Sequence, residues 1–282
     1  NWHETPRVRF LNLRGDMRED ASLQAKVLRV FIYYTRLILY AATAKPKIFH
    51  ILWNNKFETF DRIPLMLYYK LMGKKSVLTV HNVNMGERDA NDSWFNHMTL
   101  KVQYQLADHL FVHTDKMNLQ LIEEFGVSAS AITVIPYGVN NAVPDTSLSS
   151  SAARQRLGIT KNDRTILFFG NIAPYKGLEY LVEAFKELLT RSLDFRLIIA
   201  GKVKDCEMYW RDIQKKIDLD GTKGRILQRI DFIPDNETEI YFKAADVLVL
   251  PYTYIYQSGV LFLGYSFGLP AIVSDVGSLR GD

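Results

Sequence analysis

The chain has 282 residues, 48% of them hydrophobic and 23% charged, with a formal net charge of +4. That is long for one core and suits two domains of ordinary size, since domains usually run ~100 to 200 residues, and the apolar content excludes a disordered chain. The single cysteine, Cys206, excludes an intrachain disulfide and a cysteine zinc site and points to a reducing, cytoplasmic setting. Charge is uneven: the first 80 residues hold 14 Lys and Arg against 6 Asp and Glu, which suits either an anionic surface or substrate, or a solvated basic face.

In chain order, apolar strand-like runs occur at RVRFLNL (7–13), KIFHILW (47–53), SVLTVHNV (76–83), HLFVHT (109–114) and ITVIPYGV (132–139). Helix-length segments lie between most of them, around 22–43, 60–72, 93–107 and 116–125. Such alternation predicts a parallel sheet covered on both faces, a Rossmann-like domain. The helix at 22–43 carries Lys26, Arg29 and Arg36 among Phe31, Tyr33, Tyr34 and Tyr40. Its cations rule out an ordinary membrane span, leaving a helix packed on its sheet, with an interfacial helix as the other reading.

From Asn140 to Asp163 the pattern lapses into a polar segment with Pro144 and a serine cluster, which reads as a linker. A second alternation follows: strands at 165–170, 195–201, 226–233, 247–252 and 270–276, helices at 177–190, 207–218, 236–244 and 259–267. The expected organisation is therefore a first domain over 1–142, a linker over 143–163 and a second domain over 164–282. Two doubly wound parallel sheets would face a cleft, with ligand crevices at the carboxyl ends of their strands. The chain does not start with Met and stops at SLRGD directly after a strand, so the expectation is a piece of a longer protein, incomplete at both ends.

Chemistry concentrates at a few strand ends. In FFGNIAPYKGLEYLVEAF (168–185) a strand runs into Gly170, and Lys176 and Gly177 precede an amphipathic helix. A helix start offers unpaired amides and a positive dipole end, and Lys176 adds a full charge, so a phosphate oxygen is the natural partner. The bland alternative is a loop with a solvated lysine. In YQSGVLFLGYSFGLPAIVSDVG (256–277), Ser258 is a plausible N-cap and Gly259 and Val260 offer free amides. Two helix starts facing one crevice would suit a diphosphate. His81, at the carboxyl end of a first-domain strand in LTVHNVNMG, either looks across the cleft at a ligand or makes an ordinary backbone hydrogen bond. In VIPYGVN, Pro136, Tyr137 and Gly138 read as hinge geometry.

Other chemistries fail. No Gly-x-Gly-x-x-Gly follows a strand and no P-loop motif exists. His109 and His113 lie four apart on a strand without acidic company, which argues against zinc. There is no Gly-x-Ser-x-Gly elbow, and no basic stripe with stacking aromatics to suggest nucleic acid.

The array VIPYGV, FFGNIAPYKGLEYLVEAF, FRLIIAGK, ADVLVLPY and SGVLFLGYSFGLPAIVSDVG resembles the glycosyltransferases of family 4, with the GT-B fold, most strongly between Ala131 and Gly277. The resemblance implies a retaining transfer of a sugar from a nucleotide-diphosphate sugar to a glycan or lipid-linked acceptor, with no metal and no cofactor beyond that co-substrate. It implies a diphosphate contact from Lys176, amides from Ser258, Gly259 and Val260, and His81 near the donor sugar. Gly170, Asn171, Gly201, Lys202 and Gln257 complete the implied donor-binding set. Asn171 stands where the family often has arginine, and Leu263 where it usually has the glutamate that holds the ribose. These departures match a Gln-Ser-Gly subgroup and keep open a non-catalytic nucleotide-sugar-binding module. The basic first third fits an acceptor at a membrane surface, in polysaccharide assembly on the cytoplasmic side. A Rossmann oxidoreductase ranks third, for want of the glycine fingerprint.

Overall fold

The computed structural model describes residues 10–15, 22–55, 57–89, 91–139, 143–204, 206–219, 222 and 224–282. The first elements are α1 (Leu23–Thr43), β1 (Ile48–Ile51), α2 (Glu58–Phe60), a π-helical turn over Asp61–Leu65, α3 (Met66–Leu71) and β2 (Lys75–Thr79). There follow α4 (Met85–Arg88), α5 (Trp94–Leu106), β3 (His109–Val112), α6 (Asp115–Glu123) and β4 (Ile132–Val134). Strands β1 to β4 form one sheet in that order, with β1 and β2 parallel and Ile48 opposite Lys75. Short polar side chains start the helices: Ser22, Asn84 and Thr114 accept hydrogen bonds from the first-turn amides of α1, α4 and α6.

The second series is α7 (Ser150–Arg156), β5 (Arg164–Phe169), α8 (Leu178–Arg191), β6 (Phe195–Ala200), α9 (Glu207–Leu219), β7 (Ile226–Arg229), α10 (Asp235–Ala244), β8 (Val247–Leu250), α11 (Gly259–Ser266) and β9 (Ala271–Val273). Its sheet has the order β7-β6-β5-β8-β9, with parallel pairing throughout. The period of two along β5 explains why both faces are covered. Leu167 and Phe169 enter one apolar core with Phe242 of α10 and Leu261 of α11, while Ile166 and Phe168 enter another with Leu178 and Phe185 of α8 and Ile213 of α9.

By packing, the chain forms two compact units, Asn1–Thr79 with Thr99–Leu110, and Val80–Met98 with Phe111–Asp282.

Three expectations need correction. The strand expected over 7–13 is not formed in its described part: residues 10–13 have no strand structure, and Phe10 is 61% exposed; residues 7–9 lie outside the described residues. An alternating run makes a strand only where an edge accepts it. The segment read as linker contains α7, because its serines act as a helix start: Ser149 caps α7 through the Ala152 amide at 3.2 Å. Ala153 is fully buried in the second sheet's core, and Arg154 reaches Asp246 at 2.7 Å. Most predicted strands also end earlier at their carboxyl ends, leaving His81, Tyr137 and Tyr252 on loops.

Candidate functional site

Strand order places a crevice where the chain leaves adjacent strands in opposite directions, between β5 and β8, at their carboxyl ends. Both sequence stretches singled out above arrive there. Lys176, Gln257, Ser258, Gly259 and Val260 line one cavity of about 610 Å³, together with Tyr137, Gly138, Val139 and Leu263.

Lys176 is only 7% exposed, and among the described residues it forms no ion pair. Its Nζ lies 3.8 Å from the centre of the Tyr252 ring and 5.4 Å from that of Tyr175. Burial, reinforced by the charges of Arg88 and Lys204, lowers its pKa to about 7. A buried, uncompensated cation is costly and is relieved by an anion.

At the start of α11, Ser258 takes the N-cap position but its side chain makes no capping hydrogen bond. Among the described residues the amides of Gly259 and Val260 take no hydrogen bond either, so the helix presents free donors to the cavity. Gln257 is half-buried beside them. Leu263, 7% exposed, gives the cavity an apolar wall.

The start of α8 behaves differently from the sequence expectation of two helix starts in one crevice. The Tyr209 hydroxyl of α9 donates a hydrogen bond to the Glu179 carboxylate in its first turn. Of the 168–185 stretch only Lys176 lines the cavity. Gly177 serves geometry: at φ +63° its Cβ would fall 2.0 Å from the Pro251 carbonyl oxygen.

Gly170, Asn171, Gly201 and Lys202 do not line the cavity. Gly170 and Gly201 make room instead: a Cβ on Gly201 would stand 1.8 Å from the Gly170 oxygen, and one on Gly170 would stand 3.2 Å from Val260 Cγ2. Asn171 and Lys202 are exposed.

His81 is not a lining residue but connects to one. His113 Nδ1 donates to the Ile135 carbonyl at 3.0 Å, which leaves the Nε2 of the neutral ring as an acceptor for His81 Nδ1 at 3.3 Å. Burial and then the neighbouring His113 hold His81 below its ordinary pKa. The His113 ring in turn meets Tyr137 edge-on at 5.3 Å, and Tyr137 contacts Phe262 of α11 at 5.4 Å. Sequence reading missed His113, seen only as half of a failed zinc pair, and Tyr137 to Val139, seen as a hinge. Their position at the end of a sheet strand was the available signal.

A second cavity of about 470 Å³ is lined by Arg88, Asp89, Tyr175, Lys204 and Cys206, among others. There Arg88 lies 4.7 Å over Tyr175 and is held by both Asp89 oxygens at 2.7 and 2.8 Å. Among the described residues no cluster of three or more metal-ligating side chains occurs.

A family model described as "Glycosyltransferase Family 4" matches residues 8–143, and one described as "Glycosyl transferases group 1" matches residues 163–281. The D-inositol 3-phosphate glycosyltransferase of Kineococcus radiotolerans is 26% identical over 233 residues, covering 79% of this chain and 51% of that protein. The chain thus spans about half the length of the curated relatives it matches. Among solved structures, Anabaena HepE in complex with UDP-glucose superposes with a TM-score of 0.72 at 16% identity, over 88% of this chain and 65% of that one. Sucrose-phosphate synthase from Thermosynechococcus elongatus gives 0.74 at 18% identity, over 93% and 64%.

Proposed function

The chain belongs to the group 1, family 4 glycosyltransferases, with the GT-B fold of two parallel-sheet α/β domains, and from that premise we propose that it binds a nucleotide-diphosphate sugar and transfers the sugar to an acceptor. The observation that carries the proposal is the convergence on one cavity of the buried, carboxylate-free Lys176 ammonium and the unengaged amides of Gly259 and Val260. Departure of the nucleotide diphosphate builds negative charge on the β-phosphate, and preplaced donors are of most use there. By comparison with single oxyanion donors, Lys176→Ala should cost ~10² to 10³ in rate, or ~2.7 to 4 kcal/mol.

The finer reading follows the family resemblance: retention at the anomeric carbon, metal independence, and proton transfer from the acceptor to the departing phosphate. In this reading Gln257, which lines the cavity, hydrogen-bonds the donor sugar. His81, with His113 fixing its Nδ1–H, would present Nε2 as an acceptor to a sugar hydroxyl. The proposed acceptor is a glycan or lipid-linked intermediate on the cytoplasmic side of a membrane. Its support is α1, where Leu28, Phe31 and Leu39 are 58%, 70% and 62% exposed on a helix that also carries Arg29 and Arg36. No described helix is long and apolar enough to cross a membrane. Full activity on a small soluble acceptor without membranes would remove this part.

The test is nucleotide release from UDP-, GDP-, ADP- and TDP-sugars by the full-length protein, with Lys176→Ala beside it. Release from one donor that collapses in the variant supports the enzyme and identifies its donor class. Leu263 and Asn171 favour a second reading, a nucleotide-sugar-binding module; binding of a nucleotide with no release, with or without acceptor extract, would select it.

A further inference from the structure

We propose that Tyr252 is a positioning residue that joins the two halves of the diphosphate subsite, its ring seating the Lys176 side chain and its hydroxyl seating Ser258 at the start of α11. The inference rests on the site reading above. Tyr252 lies just beyond β8, is 1% exposed and belongs to the second sheet's core. It approaches both cavity components at once, with Lys176 Nζ 3.8 Å from its ring centre and Ser258 Oγ 3.3 Å from its hydroxyl. Ser258, 2% exposed, spends its side chain on this contact and not on capping α11.

The backbone around Tyr252 clamps the lysine-bearing turn as well. Thr253 N donates to the Tyr175 carbonyl at 3.0 Å, and the Pro251 carbonyl occupies the space a side chain on Gly177 would need. Residues 251–253 therefore form a brace, packed against the 174–177 turn on one side and hydrogen-bonded to the N-cap residue of α11, Ser258, on the other.

The choice of an aromatic ring has a chemical reason. A carboxylate beside Lys176 would hold the ammonium equally well, but it would repel the incoming diphosphate and compete with it. The face of a phenol ring attracts a cation through its quadrupole, most effectively when desolvated, and carries no net charge. The ammonium is then oriented yet remains available to the ligand.

Double-mutant cycles in the full-length protein test this, read by calorimetric titration of UDP, GDP, ADP and TDP and then followed with the tightest. Tyr252→Leu should weaken binding about tenfold in the wild-type background and about threefold or less in Lys176→Ala, where the ring–ammonium contact is already absent and only the Ser258 contact is left to lose. Tyr252→Phe keeps the ring and should weaken binding by about threefold or less, an effect that disappears in Ser258→Ala. Equal losses in both backgrounds would overturn the proposal, since a residue that merely supports the fold acts additively. Thermal melts accompany each variant, and if Tyr252→Leu does not fold, the Phe and Ser258→Ala cycle, which removes only oxygens, decides. Wild-type protein that binds none of the four nucleotides would sink the site reading and this inference with it. Binding that depends on Lys176 but shows no coupling to Tyr252 would sink this inference alone.

Discussion

Raising the pH from 6 to 8 should weaken nucleotide-sugar binding by about tenfold. Burial and the charges of Arg88 and Lys204 bring the Lys176 pKa to about 7. A lysine is charged below its pKa, so the ammonium is nearly complete at pH 6, half present at pH 7 and down to about a tenth at pH 8. A bound diphosphate favours the charged form, and binding therefore draws a proton in. If only the ammonium form holds the ligand, the Kd rises by about 1.1-, 2- and 11-fold over its low-pH limit at these three pH values, a loss of about 1.4 kcal/mol across the interval. The assay is calorimetry with UDP-glucose in pairs of buffers that differ in ionisation enthalpy. A nucleotide sugar is preferable to free UDP, whose terminal phosphate itself titrates near pH 6 as phosphomonoesters do. Proton uptake should be about 0.5 per ligand at pH 7 and about 0.9 at pH 8, and Lys176→Ala should abolish it. Affinity flat between pH 6 and 8, with no proton uptake by the wild type, would refute the reasoning. A slope that persists in Lys176→Ala would assign the titration to another group.

Lys176→Met should stabilise the protein while depriving it of turnover. The folded-state pKa lies below the unfolded one, so the penalty of burying the charge is complete below about pH 7 and fades as the pH approaches 10.5; the gain in Tm should accordingly be larger at pH 6 than at pH 9, and a drop in Tm at pH 6 would mean the ammonium is compensated. Gly177→Ala should cost more than ~2 kcal/mol, since at φ +63° its Cβ would meet the Pro251 oxygen at 2.0 Å. Gly268→Ala, at φ +65° with nothing within 4 Å, isolates the backbone strain alone at ~1 to 2 kcal/mol; equal melting shifts for the two would contradict the close approach. His113→Phe should remove the acceptor that fixes His81 Nδ1–H and so mix the His81 ring tautomers, visible in imidazole NMR spectra, with a fall in donor turnover. An unchanged His81 tautomer would dissolve the pair.

The alternation of apolar runs made both sheets legible, because parallel strands buried on two faces must be continuously apolar, as TILFF is before Gly170. The lysine and glycines at the strand-to-helix junctions singled out Lys176 and the Gln257–Val260 stretch, and these residues line one cavity. What stayed hidden depended on spatial company. Nothing in the order of residues says that Tyr209 will reach the start of α8, or that His113 will meet His81 from the next strand. The serines before α7 carry the same letters in a linker and in a helix cap, and only the burial of Ala153 distinguishes the two. Tyr252 was hidden for a related reason: it reads as the last residue of an apolar strand, and its two polar contacts come from elements far from it in sequence.

The stack of Gly201, Gly170 and Val260 has a bearing on how such a site can change over evolution. Beneath the first turn of α11 the protein comes down to bare main chain: a side chain acquired at Gly201 would run into the Gly170 backbone, its Cβ 1.8 Å from the carbonyl oxygen, and one at Gly170 would crowd Val260 Cγ2 at 3.2 Å. The base of the site is consequently closed to adaptation, and a new preference for base or sugar must be written on its rim, at Tyr137 to Val139, Gln257 and Leu263, where exchanges alter shape and polarity without displacing the helix that holds the charge.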